Sequence, residues 1–140
     1  MKEYTPETYL MLITLFKDDD ESSRAWLLNH GHQELVEFFN AYEGEEKAFV
    51  WLMENGHRSL AATVDAMSGK DKAKVWLIKS GNRELAAFVD ACSGNKTAVA
   101  WLIRLQQKGL IRLAHEVYLR NKKNEKKGFW GFLNFGNPFR

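Results

Sequence analysis

A tryptophan–leucine pair recurs every 25 residues along most of this 140-residue chain. The tryptophans are Trp26, Trp51, Trp76 and Trp101, and a leucine follows each of them. A fixed period of this length is the signature of a repeat architecture, in which each unit buries its apolar face against the next one. The repeat therefore constrains the fold more than any other feature of the sequence.

The unit 70–94 predicts two short helices. Small or apolar residues occupy the i, i+3, i+4 and i+7 positions of each helix, namely Ala73, Trp76, Leu77 and Ser80, then Leu85, Phe88, Val89 and Cys92. Gly81 and Gly94 follow these stretches, as glycines that end helices do, so the unit predicts an αα-hairpin. Asn82 is expected to cap the second helix. Val75 and Ile78 add a second apolar flank, which predicts that the first helix is covered on two sides.

The other units keep this register, which predicts hairpins at about 20–44, 45–69, 70–94 and 95–121 after a half-repeat at 5–17. Each unit contributes one tryptophan and one leucine to the predicted core, and the half-repeat contributes a leucine. These core residues are Trp26, Trp51, Trp76, Trp101, Leu10, Leu35, Leu60, Leu85 and Leu110. The tryptophans could instead form a stacking platform for aromatic ligands, but tryptophan beside leucine at helical spacing is more typical of a core.

The two ends depart from the repeat. Thr5 followed by Pro6 predicts the start of the first helix, with Thr5 as its cap. Gln106 stands where the other units have their middle glycine, which predicts a longer helix at that point. The last helix is expected from about Leu110 to Arg120, which makes nine helices in total.

These elements predict an all-α fold, a right-handed α-α superhelix of about four hairpins plus the N-terminal half-repeat. The units, written W-L-x-x-x-G-x-x-x-L and A-x-x-G, resemble the short α-hairpin repeats of α-solenoids, a class that includes HEAT-like and tetratricopeptide arrays. Their period is shorter and the signature residues of those families are missing, so no binding residues are carried over. The resemblance implies a non-enzymatic scaffold that binds a protein partner.

Charge is distributed unevenly along the chain, although the net charge is only +2. Residues 1–50 carry 4 basic and 11 acidic side chains, net −7, whereas residues 101–140 carry 9 basic and 2 acidic ones, net +7. Such asymmetry can mark an interaction surface. It also predicts that copies of the chain could associate head to tail.

The apolar run near the N-terminus does not resemble a secretory signal, because Glu3 and Glu7 accompany it and no basic region precedes it. No apolar run approaches the roughly 20 residues of a membrane span. The lone Cys92 cannot form an internal disulfide, which fits a reducing compartment. A cytoplasmic location is therefore expected.

Motifs for catalysis, cofactors or metals do not occur in the sequence. It contains no G-x-S-x-G, P-loop, GxGxxG, HExxH or CxxC pattern, so no catalytic, cofactor-binding or metal-binding residue is predicted. His32 and His57 share one repeat position with Asn82, which favours helix capping or turn solvation over metal binding. An enzyme whose site is built from distant residues leaves no local motif and stays open as a third hypothesis.

A repeat code for nucleic acid would need related side chains at one surface position of every unit. The position after the W-L-x triplet changes sign along the chain, from Asn29 and Glu54 to Lys79 and Arg104. A weak basic surface column remains in Arg58, Arg83 and Lys108. The acidic first half argues against nucleic-acid binding along the full length, although the basic C-terminal third could contact it.

Residues 122–140 form a basic and then aromatic, glycine-rich tail outside the predicted repeat. Its aromatic part has no clear helical period and is broken by three glycines, which predicts an irregular structure. Its candidate binding residues are Lys122, Lys123, Lys126, Lys127, Phe129, Trp130, Phe132, Phe135 and Phe139. One interpretation is that the aromatic side chains fold back over the open end of the last hairpin and complete the core. The alternative is that the tail binds an anionic membrane surface, nucleic acid or a partner's pocket.

Overall fold

The computed structural model describes the backbone of residues 3–135 and the side chains of residues 3–124. Within this part of the chain all regular structure is α-helical, and no strand occurs. The nine helices are α1 (Pro6–Asp18), α2 (Glu21–Asn29), α3 (Gln33–Tyr42), α4 (Glu46–Glu54), α5 (Arg58–Met67), α6 (Asp71–Lys79), α7 (Arg83–Cys92), α8 (Lys96–Arg104) and α9 (Lys108–Phe135).

Local signals in the sequence explain most helix boundaries. Thr5 caps α1 as predicted, because its Oγ1 accepts a hydrogen bond from the Thr8 backbone N–H at 3.1 Å, and Pro6 opens the helix. The glycines between helices have positive φ angles, such as 77° at Gly31 and 88° at Gly81, a region that glycine enters without steric cost. Turns of this kind let consecutive helices fold back on each other.

The predicted longer helix at Gln106 is wrong. The eighth helix ends at Arg104, and Gln106 itself takes the left-handed conformation of the missing glycine, with φ at 56°. The turn therefore imposes the left-handed conformation on a residue that has a Cβ atom. This conformation costs such a residue roughly 1 kcal/mol in conformational free energy.

The helices form two layers. The odd-numbered helices α3, α5 and α7 each pack against the next odd-numbered helix. Among the described residues, α2, α4, α6 and α8 pack only against the two helices that flank them in sequence. The odd-numbered inner helices bury the predicted leucines Leu35, Leu60, Leu85 and Leu110. Each even-numbered outer helix buries one leucine completely, namely Leu27, Leu52, Leu77 or Leu102, the residue that follows each tryptophan.

The first and last helices pack against each other. Helix α9 packs as extensively against α1 as against α7, and α1 also packs against α3. The five inner helices therefore form a closed ring. Arg120 of α9 reinforces this closure, since it donates a hydrogen bond to the Phe16 backbone oxygen at 3.1 Å. The open apolar end that the sequence led us to expect on the last hairpin is thus covered by α1.

The prediction that Leu10 belongs to the core is wrong, because its side chain is 44 % exposed. Leu12, which is 2 % exposed, takes the core position instead. The buried apolar residues of α1 are Leu12, Ile13, Leu15 and Phe16, which match Leu35, Val36, Phe38 and Phe39 at an offset of 23 residues. Helix α1 is therefore two residues out of the 25-residue register. The connection between α1 and α2 is one residue shorter than the one between α3 and α4 and accounts for half of this shift.

The expected end of the last helix near Arg120 is also wrong. Helix α9 continues through the basic segment and through Gly128 to Phe135, 28 residues in all. The axis of a helix of this length is about 42 Å long, against about 14 Å for a nine-residue outer helix. The predicted irregular tail is therefore helical up to Phe135. The proposed docking of its aromatic side chains lies outside the described side chains.

Candidate protein-binding surface

An apolar residue is exposed at one repeated position of every outer helix. Leu28, Met53, Ile78 and Ile103 are 46 %, 40 %, 43 % and 59 % exposed, and successive members are 25 residues apart. Three positions earlier, on the same helix face, lie the exposed residues Ala25, Val50, Val75 and Ala100. We refer to these eight residues as the outer stripe.

The direction in which each outer helix packs explains why the outer stripe is exposed. In α6, Leu77 is completely buried, whereas Ile78, one position later and about 100° further round the helix, faces outwards. The prediction that Val75 and Ile78 form a second covered flank is therefore wrong. The stripe repeats the alternation of a buried leucine and an exposed apolar neighbour in all four outer helices.

The tryptophans occupy the border of this surface. Trp26, Trp51 and Trp101 are half-buried and pack against the core, but Trp76 is 41 % exposed, so its predicted burial is wrong. Histidines cover two of the indoles, since the ring of His57 stacks on Trp51 with centroids 5.6 Å apart and an interplanar angle of 9°. Trp26 stacks in the same way on His30, with centroids 3.9 Å apart.

Of the two roles predicted for His32 and His57, helix capping and turn solvation, helix capping is wrong. The side chains of His32, His57 and Asn82 make no capping hydrogen bond to the helices that they precede. Asn82, at the repeat position of His57, instead donates to Ser80 Oγ at 2.9 Å. An asparagine has no ring to lay on an indole, so Trp76 lacks the stacking on a histidine that Trp26 and Trp51 have.

Trp76 forms one wall of a groove between α4 and α6. The groove has a volume of about 330 Å³, and Met53 and Phe49 of α4 form the opposite wall above Ala62 of α5. Within the described residues the backbones of the outer helices do not pack against each other, and α5 forms the floor of the groove between α4 and α6. The outer surface thus consists of apolar ridges separated by grooves, a shape that suits an amphipathic helix.

Charged residues flank the ridges and differ between helices. Glu45, Glu46 and Glu54 on or next to α4 are exposed, as are Lys72 and Lys79 on α6. None of these five forms an ion pair within the described part of the chain, whereas Lys74 pairs with Asp90 at 2.8 Å. Their charges are therefore available to an approaching partner.

The predicted basic column occupies equivalent positions in the fold. Arg58, Arg83 and Lys108 are the first residues of α5, α7 and α9, and all three are exposed. Lys108 borders an open cavity of about 600 Å³ between the start of α1 and the turn from α8 to α9, which Arg112 and Glu84 also line. The lining thus mixes both signs of charge, which does not suit a polyanion.

Two half-buried tyrosines line this cavity. Tyr4 donates a hydrogen bond to Glu34 Oε2 at 2.7 Å, and burial together with this carboxylate raises the pKa of Tyr4 well above its usual range. Burial, with a contribution from Glu3, raises the pKa of Tyr9 to about 12. Both phenols are protonated at neutral pH, and their rings pack edge to face with centroids 6.0 Å apart. These residues therefore hold the start of α1 in place.

Cys92 is 3 % exposed on the inner helix α7, and burial raises the pKa of its thiol. A protonated, inaccessible thiol is a poor nucleophile. Across the described residues, no three histidine, cysteine, aspartate or glutamate side chains come together in a way that could hold a metal ion.

The candidate tail residues fall into three groups. Lys122 and Lys123 are exposed on α9. Lys126, Lys127, Phe129, Trp130, Phe132 and Phe135 lie on the helical backbone beyond the described side chains, and Phe139 lies outside the described residues. Among the helices described, none combines the length and apolar character needed to cross a bilayer.

Sequence reasoning missed the outer stripe and the role of Arg120. The guanidinium of Arg120 pairs with Glu43 at 2.9 Å and lies 5.4 Å from the ring centre of Tyr42, as well as binding the Phe16 carbonyl. A signal for the stripe was present, since the third residue of each W-L-x triplet is apolar.

Comparisons with family models, curated proteins and solved structures found no match to this chain.

Proposed function

We propose that this protein is a non-enzymatic interaction scaffold that binds a protein partner through its outer stripe. The observation that carries the proposal is the exposed apolar residue repeated at Leu28, Met53, Ile78 and Ile103. Single exposed apolar residues are normal on protein surfaces, but an exposed apolar position kept in every repeat is a regular surface feature. Burial of such side chains is the usual driving force of association.

The two-layer arrangement supports this assignment. The closed inner layer provides a core that does not need the outer stripe, so the stripe is free for partners. We propose that the array is a closed α-α superhelix with its grooves on the outer surface, and that it acts in the cytoplasm, where its single thiol, Cys92, would stay reduced.

Site-specific photo-cross-linking tests the proposal. A photoreactive amino acid is placed in turn at Ile103 and Leu28 of the stripe and, as matched controls, at the exposed residues His115 of α9 and Lys17 of α1. In cells that naturally make the protein, the stripe positions should give discrete protein adducts, and polar substitution of Met53 and Ile78 should reduce their yield. Equal adduct yields from stripe and control positions would contradict a role for the stripe.

A second function is favoured by the length of α9. Arg120 and Asn121 are the last residues of α9 with described contacts to α1 or α3, yet the helix continues to Phe135. We propose as an alternative that this extension carries the basic and aromatic residues to an anionic membrane surface. Four lysines followed by aromatic residues are a composition that binds such surfaces.

Removal of residues 128–140 separates this alternative from a structural role of the tail. Loss of sedimentation with vesicles containing phosphatidylserine, at unchanged unfolding free energy, would support membrane binding. If the truncated chain is instead less stable and binds vesicles as the full chain does, the aromatic residues belong to the core.

A further inference from the structure

We propose that one partner of the outer stripe is a second copy of this chain, and that α4 and α6 form a two-fold interface between the copies. This inference rests on the proposed function, because it uses the same exposed surface. In the interface, α4 of each copy would pack against α6 of the other. The two contacts are then identical, as an isologous dimer requires.

The exposed apolar residues are concentrated on these two helices. Of ten large hydrophobic residues exposed in the described part of the chain, five lie on α4 or α6: Val50, Met53, Val75, Trp76 and Ile78. The groove between the two helices places Met53 opposite Trp76. Exposed indoles beside apolar residues are among the side chains that dominate interface energetics.

The charges around this patch are self-complementary. Residues 45–54 carry three glutamates and one lysine, whereas residues 70–79 carry four lysines and one aspartate. A two-fold axis between α4 and α6 brings the acidic helix of each copy against the basic helix of the other. Acidic side chains lie at both ends of α4 and basic side chains lie towards both ends of α6, so opposite charges can meet along the whole contact. Complementary charge of this kind favours one arrangement over others.

Sedimentation equilibrium of the full chain is the first test. The patch is small, so we expect a weak dimer whose average mass rises from 16.2 kDa towards twice that value between about 1 µM and 1 mM protein. Ile78→Glu should weaken the dimer by at least about 30-fold, because it buries an unpaired charge in the patch. Ile103→Glu is the matched control, at the same repeat position on α8, and should leave the dimer intact.

Charge reversal distinguishes a specific interface from nonspecific hydrophobic association. One variant carries Glu46→Lys and Glu54→Lys on α4, and the other carries Lys72→Glu and Lys79→Glu on α6. Each variant alone should dimerise at least about tenfold more weakly than the wild type, because like charges then face each other. An equimolar mixture should recover association, since both contacts of the mixed dimer again pair opposite charges.

A wild-type chain that stays at 16.2 kDa up to about 1 mM would overturn the inference. So would equal effects of Ile78→Glu and Ile103→Glu, or a charge-reversed mixture that stays monomeric. These failures are distinguishable from failure of the proposed function. If stripe positions still cross-link to a different protein, the scaffold role stands and only the second copy is excluded as partner.

Discussion

The ring of Tyr9 in α1 lies against the backbone of Gly109 in α9, in the space that a side chain at residue 109 would occupy. A Cβ atom built on Gly109 would overlap the ring. This contact joins residues 100 positions apart and lies where the first and last inner helices meet. The smallest residue at this position therefore lets α9 approach α1 and close the inner layer.

Replacement of Gly109 by alanine should destabilise the fold. In most helix interiors this substitution stabilises, because alanine is the better helix former. Here the methyl group meets Tyr9, and we expect a loss of about 1–3 kcal/mol in unfolding free energy, measured by urea denaturation. Ser59→Ala, at the equivalent repeat position, is the control and should be nearly neutral. In a Tyr9→Ala background the penalty for Gly109→Ala should disappear, and its persistence there would contradict the closure.

Arg120→Met should also weaken the closure, since the variant keeps the length of the side chain but removes its hydrogen bonds. The substitution leaves the Phe16 carbonyl and the Glu43 carboxylate without this donor. We expect a loss of about 1–3 kcal/mol in unfolding free energy. Arg120→Lys should restore only part of it, because an ammonium cannot span both acceptors as the guanidinium does. A variant as stable as the wild type would show that the guanidinium contributes nothing to closure.

Gln106→Gly should stabilise the protein. Gln106 has a φ of 56°, and glycine at the equivalent turns adopts such angles without strain. We expect a gain of about 1 kcal/mol in unfolding free energy. It would be measured as a higher midpoint of urea unfolding, with no change in the dependence of the unfolding free energy on urea concentration. Gln107→Gly, one residue later, is the control and should not stabilise. A destabilised Gln106→Gly variant would mean that the glutamine side chain contributes more than its backbone strain costs.

Most of the fold could be predicted from residue spacing, and the failures have physical reasons. The period of 25 and the turn glycines indicate the helices, and Thr5 marks the start of α1. The closure depends on Tyr9 meeting Gly109, a contact between distant residues that no local pattern contains. The shift from Leu10 to Leu12 follows only in part from a connection that is one residue shorter, and the rotation of α1 that completes it appears only in three dimensions.

The candidate surface could be predicted less well. Leu77 and Ile78 are adjacent and equally apolar, so hydrophobicity alone does not say which one is buried. The small residue Ala73 is the more informative neighbour, because it lies four positions before Leu77 on the face that packs against the inner layer. Glycines at 128 and 131 suggested a break, but the helix continues through both of them.

Asn82→His should cover Trp76. In the preceding unit His57 stacks on Trp51, and a histidine at residue 82 can lie on the indole in the same way. We expect a gain of about 0.5–1 kcal/mol in unfolding free energy, together with a blue shift of tryptophan fluorescence. The reciprocal control, His57→Asn, should produce the opposite changes. Unchanged fluorescence in both variants would show that a stacked histidine does not shield these indoles from water.

The central claim is that the outer stripe serves partners and not the core. The most direct test is the unfolding free energy of a variant carrying Leu28→Ser, Met53→Ser, Ile78→Ser and Ile103→Ser, compared with the single variant Leu77→Ala. The fourfold variant should stay within about 1 kcal/mol of the wild type, because surface substitutions change stability little, whereas Leu77→Ala should lose about 2–5 kcal/mol. A fourfold variant less stable than Leu77→Ala would show that the stripe is core, and would contradict the claim.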